Sequence, residues 1–518
     1  MRRLLALILI ASMAIVVPPT AAAAQGGAAP VERIPLKMSA PKEAPAYSEM
    51  PLSVTVPPNV GTKPRTGTLY ASRDKKNFTK FATWKVPQQG GTKEFSVKTG
   101  ETVGRVWLRA VVNGKDSPRQ QWQITTWIAS PYQPTEPDTA DVATGIPVTG
   151  SLFGNHPIRG VPEFAGTVRL WDTSTSWNQI EKSPGQYSWG ALDRHVAQAL
   201  AAGQEVMLVL GGTPEWAAVA KAPGSEFAGP GSSMPMQDPA MFESYVRAVV
   251  NRYGGRISAY QIWNEANISE FWRGTPELMA DLTARAYRII KDAQPGATVV
   301  AASTGSRWVK GFTEFYPEYL TALKAFGWPI DAYSVHLYPT STGTPKDRAY
   351  LLGMMNVALD IAGAPKKPIW ETEINYGITN PGSGQVAQTI PNAEIPAYVG
   401  RTYVDSLRYG IARSYWYGWT PEYRLLGIQM WNGYLATAAY GRIRDWLIGS
   451  TFLGCTTTGV VVQCNFDRGG APFFIAYTDD GSAAMLPNPG GATYGGMDGG
   501  TAPAGSQIPI SGTPVRIT

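Results

Sequence analysis

Between residues 146 and 448, short apolar, β-branched runs alternate with longer runs of helical periodicity, which constrains the fold more than any other feature. Strands separated by helices run parallel, because each helix carries the chain back to the same end of the sheet. The pattern predicts strands over Ile146–Leu152, Thr167–Trp171, Glu205–Leu210, Ala259–Trp263, Ala297–Ala302, Ile330–Leu337, Pro368–Thr372 and Arg413–Trp416. Helices are expected between them, among others over Leu192–Ala202, Pro239–Tyr253, Pro276–Asp292 and Pro396–Tyr409. Eight strands suit an α/β chain closed into a (β/α)8 TIM barrel over 146–448 better than an open doubly wound sheet. The Gly-rich fingerprint of a dinucleotide-binding sheet is missing.

The flanks read differently. Leu52–Val56, Gly67–Tyr70, Phe95–Val97, Val106–Val112 and Trp122–Thr125 are short alternating runs separated by turn residues, the pattern of an immunoglobulin-like β-sandwich over 49–128. Residues 25–48, rich in Ala, Gly and Pro, read as a disordered lead-in, and 129–145 as a linker. Past 449 the runs Gly459–Val462 and Phe473–Tyr477 indicate a small C-terminal β domain over 449–518. Arg2-Arg3, the apolar Leu4–Val17 and Ala22-Ala23-Ala24 form the three zones of a secretory signal peptide over 1–24, cleaved near Ala24. Its apolar part is short for a membrane span, so an extracellular protein with no stable membrane anchor after cleavage is expected. Cys455 and Cys464, the only cysteines, would then form one disulfide across a hairpin.

Composition excludes several functions. The formal charge of +6 is modest for 518 residues and no dense Lys/Arg run occurs, which argues against nucleic acid as a partner. It is compatible with weak association with an anionic cell envelope. Three scattered histidines, with no Cys-x-x-Cys or His-Glu-x-x-His, give no reason to expect a metal. There is no Walker A loop and no Gly-x-Ser-x-Gly elbow, and no cofactor is expected.

Two strings carry the chemistry, Trp263-Asn264-Glu265 and Trp370-Glu371-Thr372-Glu373, each at the end of an expected strand. In a barrel the C-terminal strand ends converge on one mouth. Acetal hydrolysis needs two carboxyl groups there, one to protonate the leaving oxygen and one to attack the sugar. Glu265, after the fourth strand, is expected as acid/base, and Glu373, after the seventh, as nucleophile. Glu371, two residues before Glu373, would point the same way on an extended strand but sit deeper, paired with an arginine such as Arg169. Arg169 could also hold the nucleophile ionised. Asn264 could bond the sugar hydroxyl beside the reacting carbon, and His336 and Tyr338 alternate onto one face. Trp216 and Trp416 offer flat faces for sugar rings.

Phe153-Gly-Asn-His156, Val168-Arg-Leu-Trp-Asp172, Trp177 to Trp189 (with Pro184-Gly-Gln-Tyr-Ser-Trp189), Thr213-Pro-Glu-Trp216, Trp263-Asn-Glu265, His336-Leu-Tyr338 and Thr372-Glu373 keep one order along the chain. In this order the chain resembles the clan A glycoside hydrolases, family 39 and its secreted actinobacterial members in particular, over about 146–450. The resemblance implies a retaining glycosidase on a (β/α)8 barrel, with Glu265 and Glu373 in the roles above and His156 added to the substrate-binding set. It also implies that the C-terminal strands pack as an accessory sandwich. Glu371 departs from the family, where an apolar residue is usual. Two other readings stand beside this one: a non-catalytic carbohydrate-binding or envelope scaffold, and a transglycosylase using the same two glutamates.

Overall fold

The computed structural model describes residues 11–12, 36–40, 43–45, 49–58, 64–72, 75–98, 104–112, 115–116, 120–125, 132, 134–221, 229–379 and 387–518. All but Ala11–Ser12 of the expected signal peptide, and most of the expected lead-in, lie outside the described residues. Among the described residues no helix is long and apolar enough to cross a membrane. The chain divides into two compact units, one essentially Met1–Gln133 and the other essentially Pro134–Thr518.

The N-terminal unit holds two β-sheets around a shared core that includes Leu52, Val54, Leu69, Phe95, Val106 and Leu108. Glu49–Val56 lies between Gly91–Lys98 and Lys37–Ser39 in one sheet, all antiparallel. Gly104–Val112 lies between Arg65–Ser72 and Gln120–Thr125 in the other. The lead-in expected to 48 is therefore partly sandwich: Lys37–Ser39 pairs because its alternation buries Met38 and exposes its neighbours.

The second unit is built on eight parallel strands: β1 (Phe153–Pro157), β2 (Thr167–Leu170), β3 (Glu205–Leu210), β4 (Ala259–Ile262), β5 (Thr298–Val300), β6 (Tyr333–His336), β7 (Ile369–Ile374) and β8 (Ile411–Trp419). They pair in the order β5-β4-β3-β2-β1-β8-β7-β6. Parallel bridges Val300–Ala332 and Gly305–His336 close the circle between β5 and β6. Helices α1 (Gly190–Ala201), α2 (Pro239–Tyr253), α3 (Pro276–Ala293), α4 (Val309–Ala325), α5 (Pro345–Ala362), α6 (Ile395–Arg408) and α7 (Leu435–Leu447) follow β2 to β8 in turn. The fold is a (β/α)8 barrel. Pro at the first turn starts α2, α3 and α5, where a missing N–H costs nothing. Met207, Ala259, Val300, Ala332, Trp370 and Tyr415 fill the barrel's interior floor.

The first strand is displaced from its expected place. Ile146–Pro147 instead pairs antiparallel with Thr451–Thr458 of the C-terminal domain, and the barrel begins at Phe153. The polar, Gly-containing string Phe153-Gly-Asn-His-Pro157 hides a strand whose residues are nonetheless all buried. Gly154 is required because the Tyr415 ring lies 2.5 Å from where a Cβ would stand. The expected linker also differs: the Thr135 N–H donates to the Tyr350 carbonyl of α5 (3.1 Å), where Gly353 makes room for the Thr135 backbone.

The C-terminal β domain packs on α6 and α7. Phe452, Phe466, Phe473, Ile475 and Tyr477 share one apolar cluster with Tyr398, Tyr403, Tyr440 and Trp446. Arg401 of α6 donates to Asp479 Oδ1 (2.7 Å), and Arg468 donates to the carbonyls of Asp445, Trp446 and Ile448, capping the end of α7. Cys455 and Cys464 form the expected disulfide, directly opposite in the hairpin Thr451–Thr458/Val461–Arg468.

Candidate active site

Seven of the nine residues singled out in the sequence as catalytic or substrate-binding converge at the C-terminal mouth of the barrel. Arg169 on β2 is fully buried and holds them together. Its Nη1 donates to Glu373 Oε1 (2.5 Å) and lies 2.7 Å from His156 Nδ1. Nη2 donates to Asn264 Oδ1 (2.6 Å), and Nε to Gln261 Oε1 (2.9 Å). The other Glu373 oxygen, Oε2, accepts from Tyr338 Oη (2.8 Å) and lies 3.3 Å from His336 Nδ1. That same nitrogen is 3.0 Å from Glu265 Oε1, so one imidazole edge stands between the two carboxylates. One oxygen each of Glu265 and Glu373 and a nitrogen of His336 all lie within 4.8 Å of one another.

The two carboxyl groups differ in surroundings. Burial by itself would raise Glu373, but the charges of His336 and Arg169 and the adjacent His156 ring outweigh it. Its carboxyl is held well below the ordinary 4.5, ionised throughout the neutral range. Burial and the charges of Glu373 and Glu265 push the Tyr338 phenol well above 10.0, so it stays a donor. Glu265 is the more exposed carboxylate, 12% against 8%, and faces the open side of the mouth.

Local backbone geometry aims Glu265. Trp263 and Glu265 both occupy the left-handed region, with φ of 66° and 38°, rare for residues with a Cβ. Such a conformation costs about 1–3 kcal/mol and persists only where neighbours enforce it. Here the Trp263 indole N–H donates to the Phe271 carbonyl (2.8 Å), its ring packs on Trp272, and the Glu265 N–H donates to Ser303 Oγ (2.9 Å).

Four expectations need correction. Glu371 does not share a side with Glu373 and does not pair with Arg169. Between Glu371 and Ile374 the register of β7 slips by one residue against both neighbouring strands, a β-bulge. Trp370 and Thr372 face the interior, Glu371 faces the helices, and the extra residue turns Glu373 back into the mouth. Glu371 instead takes both forks of Arg348 from α5, at 2.6 Å each. Trp416 is also misplaced as a sugar platform. It lies fully buried in the cluster between β8 and the helices, beside Tyr376, while Tyr417 takes the mouth position. Strand alternation decides this, and sequence leaves its parity open. Trp216, half-buried after β3, donates to the Glu181 carbonyl (3.1 Å) and packs on Trp177 rather than joining the seven. His156 is fully buried behind Glu373, so it supports that carboxylate rather than lining the pocket.

Sequence reading missed Gln261, Ser303, Asp172, Tyr417 and Arg307. Asp172 Oδ2 lies 3.2 Å from His156 Nε2 and accepts from Tyr417 Oη (3.0 Å). Arg307, after β5, donates to the Ile378 carbonyl (3.3 Å) with its guanidinium 5.7 Å from the Tyr338 ring centre. Asp172 ends the string Val168-Arg-Leu-Trp-Asp172, and Tyr417 lies in the aromatic string Tyr415-Trp-Tyr-Gly-Trp419; Gln261, Ser303 and Arg307 carried no signal, since their roles depend on which strand ends meet.

Glu265, His336 and Glu373 have the spacing of a metal triad, but Arg169 occupies one oxygen of Glu373 and Tyr338 the other. A cation there would stand against a guanidinium, so the set fits proton transfer and nucleophilic attack better.

No protein-family model matches the chain, and neither does any curated protein. Solved structures do. A glucosidase from Croceicoccus marinus aligns with a TM-score of 0.49 at 14% identity, covering 71% of this chain and 83% of that one. The glycoside hydrolase family 30 subfamily 8 xylanase Xyn30A from Clostridium acetobutylicum aligns with a TM-score of 0.49 at 11% identity, over 73% and 97%. Xylanase XynB from Paenibacillus barcinonensis aligns with a TM-score of 0.40 at 17% identity, over 54% and 89%.

Proposed function

We propose that the protein is a secreted, retaining glycoside hydrolase that cleaves O-glycosidic bonds of a poly- or oligosaccharide by double displacement. The approach of the Glu265 and Glu373 oxygens to within 4.8 Å carries this reading. Retaining enzymes hold their carboxyl groups about 5–5.5 Å apart, inverting ones about 6.5–9.5 Å to admit a water. In the first step Glu373, kept anionic by Arg169 and Tyr338, attacks the anomeric carbon while Glu265 protonates the departing oxygen. In the second, Glu265 takes a proton from water, the water oxygen attacks the same carbon, and Glu373 leaves. The Arg169 bond to Asn264 Oδ1 fixes that amide beside the acid, where it can donate to a neighbouring sugar hydroxyl. The clan A order of motifs supports the same reading, with family 39 as the nearest pattern, and the N-terminal Arg-Arg, apolar and Ala zones support export.

The test is a set of aryl glycosides and polysaccharides with product anomers followed by NMR. Glu265→Ala should keep the first step on a substrate with a good leaving group, whereas Glu373→Ala should lose turnover on every substrate. An inverted first-formed anomer, or wild-type rates in the Glu373 variant, would reject the assignment.

A further inference from the structure

His156 is fully buried and enclosed by polar groups from three elements. From β2 and the residues just after it come Arg169 and Asp172; β7 supplies Glu373 and β8 supplies Tyr417. The contacts of its two ring nitrogens differ in kind. Nδ1 lies 2.7 Å from Arg169 Nη1, which can only donate, and farther, 3.3 Å, from Glu373 Oε1, so in the neutral ring Nδ1 takes the acceptor role toward the closer group. The ring proton then sits on Nε2, 3.2 Å from Asp172 Oδ2. Asp172 Oδ2 also accepts from Tyr417 Oη (3.0 Å), which orients the carboxylate. Burial and the charges of Asp172 and Glu373 keep the Tyr417 phenol protonated as that donor.

We propose that Asp172 is a positioning residue for the nucleophile, acting through His156. By holding its carboxylate 3.2 Å from Nε2, a close ionic contact rather than an aligned hydrogen bond, it favours the proton on that nitrogen and so the one tautomer whose Nδ1 can receive Arg169 Nη1. That nitrogen is the same one that donates to Glu373 Oε1, so Tyr417, Asp172, His156 and Arg169 form a chain ending on the attacking oxygen. With the opposite tautomer, Nδ1–H would face a guanidinium N–H at 2.7 Å and compete with it for Glu373 Oε1 at 3.3 Å, so the fork would have to move off its line to Glu373. At metal sites, outer partners that fix a histidine's tautomer change affinity or activity by about ten- to a hundredfold when removed, and a loss of the same order is expected here. The inference rests on the glycosidase reading for its kinetic consequence, but the tautomer itself can be measured without activity.

Histidine-15N labelling reads the tautomer, because the chain has only three histidines, His156, His195 and His336. In mildly alkaline buffer the wild-type His156 ring should carry its proton on Nε2 alone, and Asp172→Ala should give a mixture of tautomers. On an aryl glycoside, Asp172→Ala should lower kcat about ten- to a hundredfold with KM within about twofold. Asp172→Asn should restore most of it, because one amide oxygen can still accept from both His156 and Tyr417. Tyr417→Phe, which leaves the carboxylate in place but loosens it, should fall between. A wild-type Nδ1–H tautomer, an unchanged kcat in Asp172→Ala, or a loss confined to KM would overturn the proposal while leaving the glycosidase reading intact. Failure of Glu373→Ala to abolish turnover would reject that reading instead, and the labelling result would still decide the tautomer.

Discussion

Glu371 and Glu373 sit two residues apart on one strand, and substituting each should have opposite consequences. Glu371 is fully buried, and both of its oxygens are held by Arg348 at 2.6 Å. Glu371→Ala leaves a buried guanidinium without its counter-charge. Removing one partner of a buried pair costs about 3–5 kcal/mol. Arg348 keeps hydrogen bonds to the Thr402 carbonyl (3.1 Å) and Ser406 Oγ (2.7 Å), which places the loss at the low end, about 3 kcal/mol. At about 2 °C per kcal/mol for a large domain, the melting temperature should fall by about 6 °C. The folded variant should still turn over an aryl glycoside within about tenfold of wild type, since Glu373 keeps Arg169 and Tyr338. Differential scanning fluorimetry and initial rates taken well below the melting point separate the two effects. A variant that melts within about 1 °C of wild type would refute the ion-pair argument. A fully folded variant with no turnover would make Glu371, not Glu373, the group that matters.

Arg169→Met removes a cation that keeps the Glu373 carboxyl below its ordinary 4.5, so that carboxyl should take up a proton at higher pH. Wild-type kcat/KM should therefore persist to lower pH than an ordinary glutamate allows, and the variant's acid limb should move upward, with kcat down by about 10²–10³; an unmoved limb would contradict the electrostatic role. Trp416→Ala should cost about 3–5 kcal/mol in a denaturant melt, with KM for an oligosaccharide unchanged in the folded fraction; a raised KM with little loss of stability would return that ring to the pocket.

Much of the barrel was legible because its signals are local. Glu205–Leu210 and Pro239–Tyr253 fall where periodicity and the N-terminal proline place them. The first strand was not legible, because Gly154, Asn155 and His156 are chosen for the Tyr415 ring and the buried polar cluster rather than for strand propensity. Glu371 and Trp416 fail for a different reason. Alternation gives two faces but not which is inward, and a single inserted residue in β7 inverts the answer beyond it.

From its residues alone, the chain dictated a closed ring of parallel strands and two glutamates at strand ends, because periodicity and chain order need no knowledge of distant neighbours. Only the folded molecule decided which carboxylate is bound by Arg169 and which by Arg348, and that Asp172 stands behind His156. Those partners are separated by between sixteen and about two hundred residues of chain, and only barrel closure and the bulge bring them within hydrogen-bond reach.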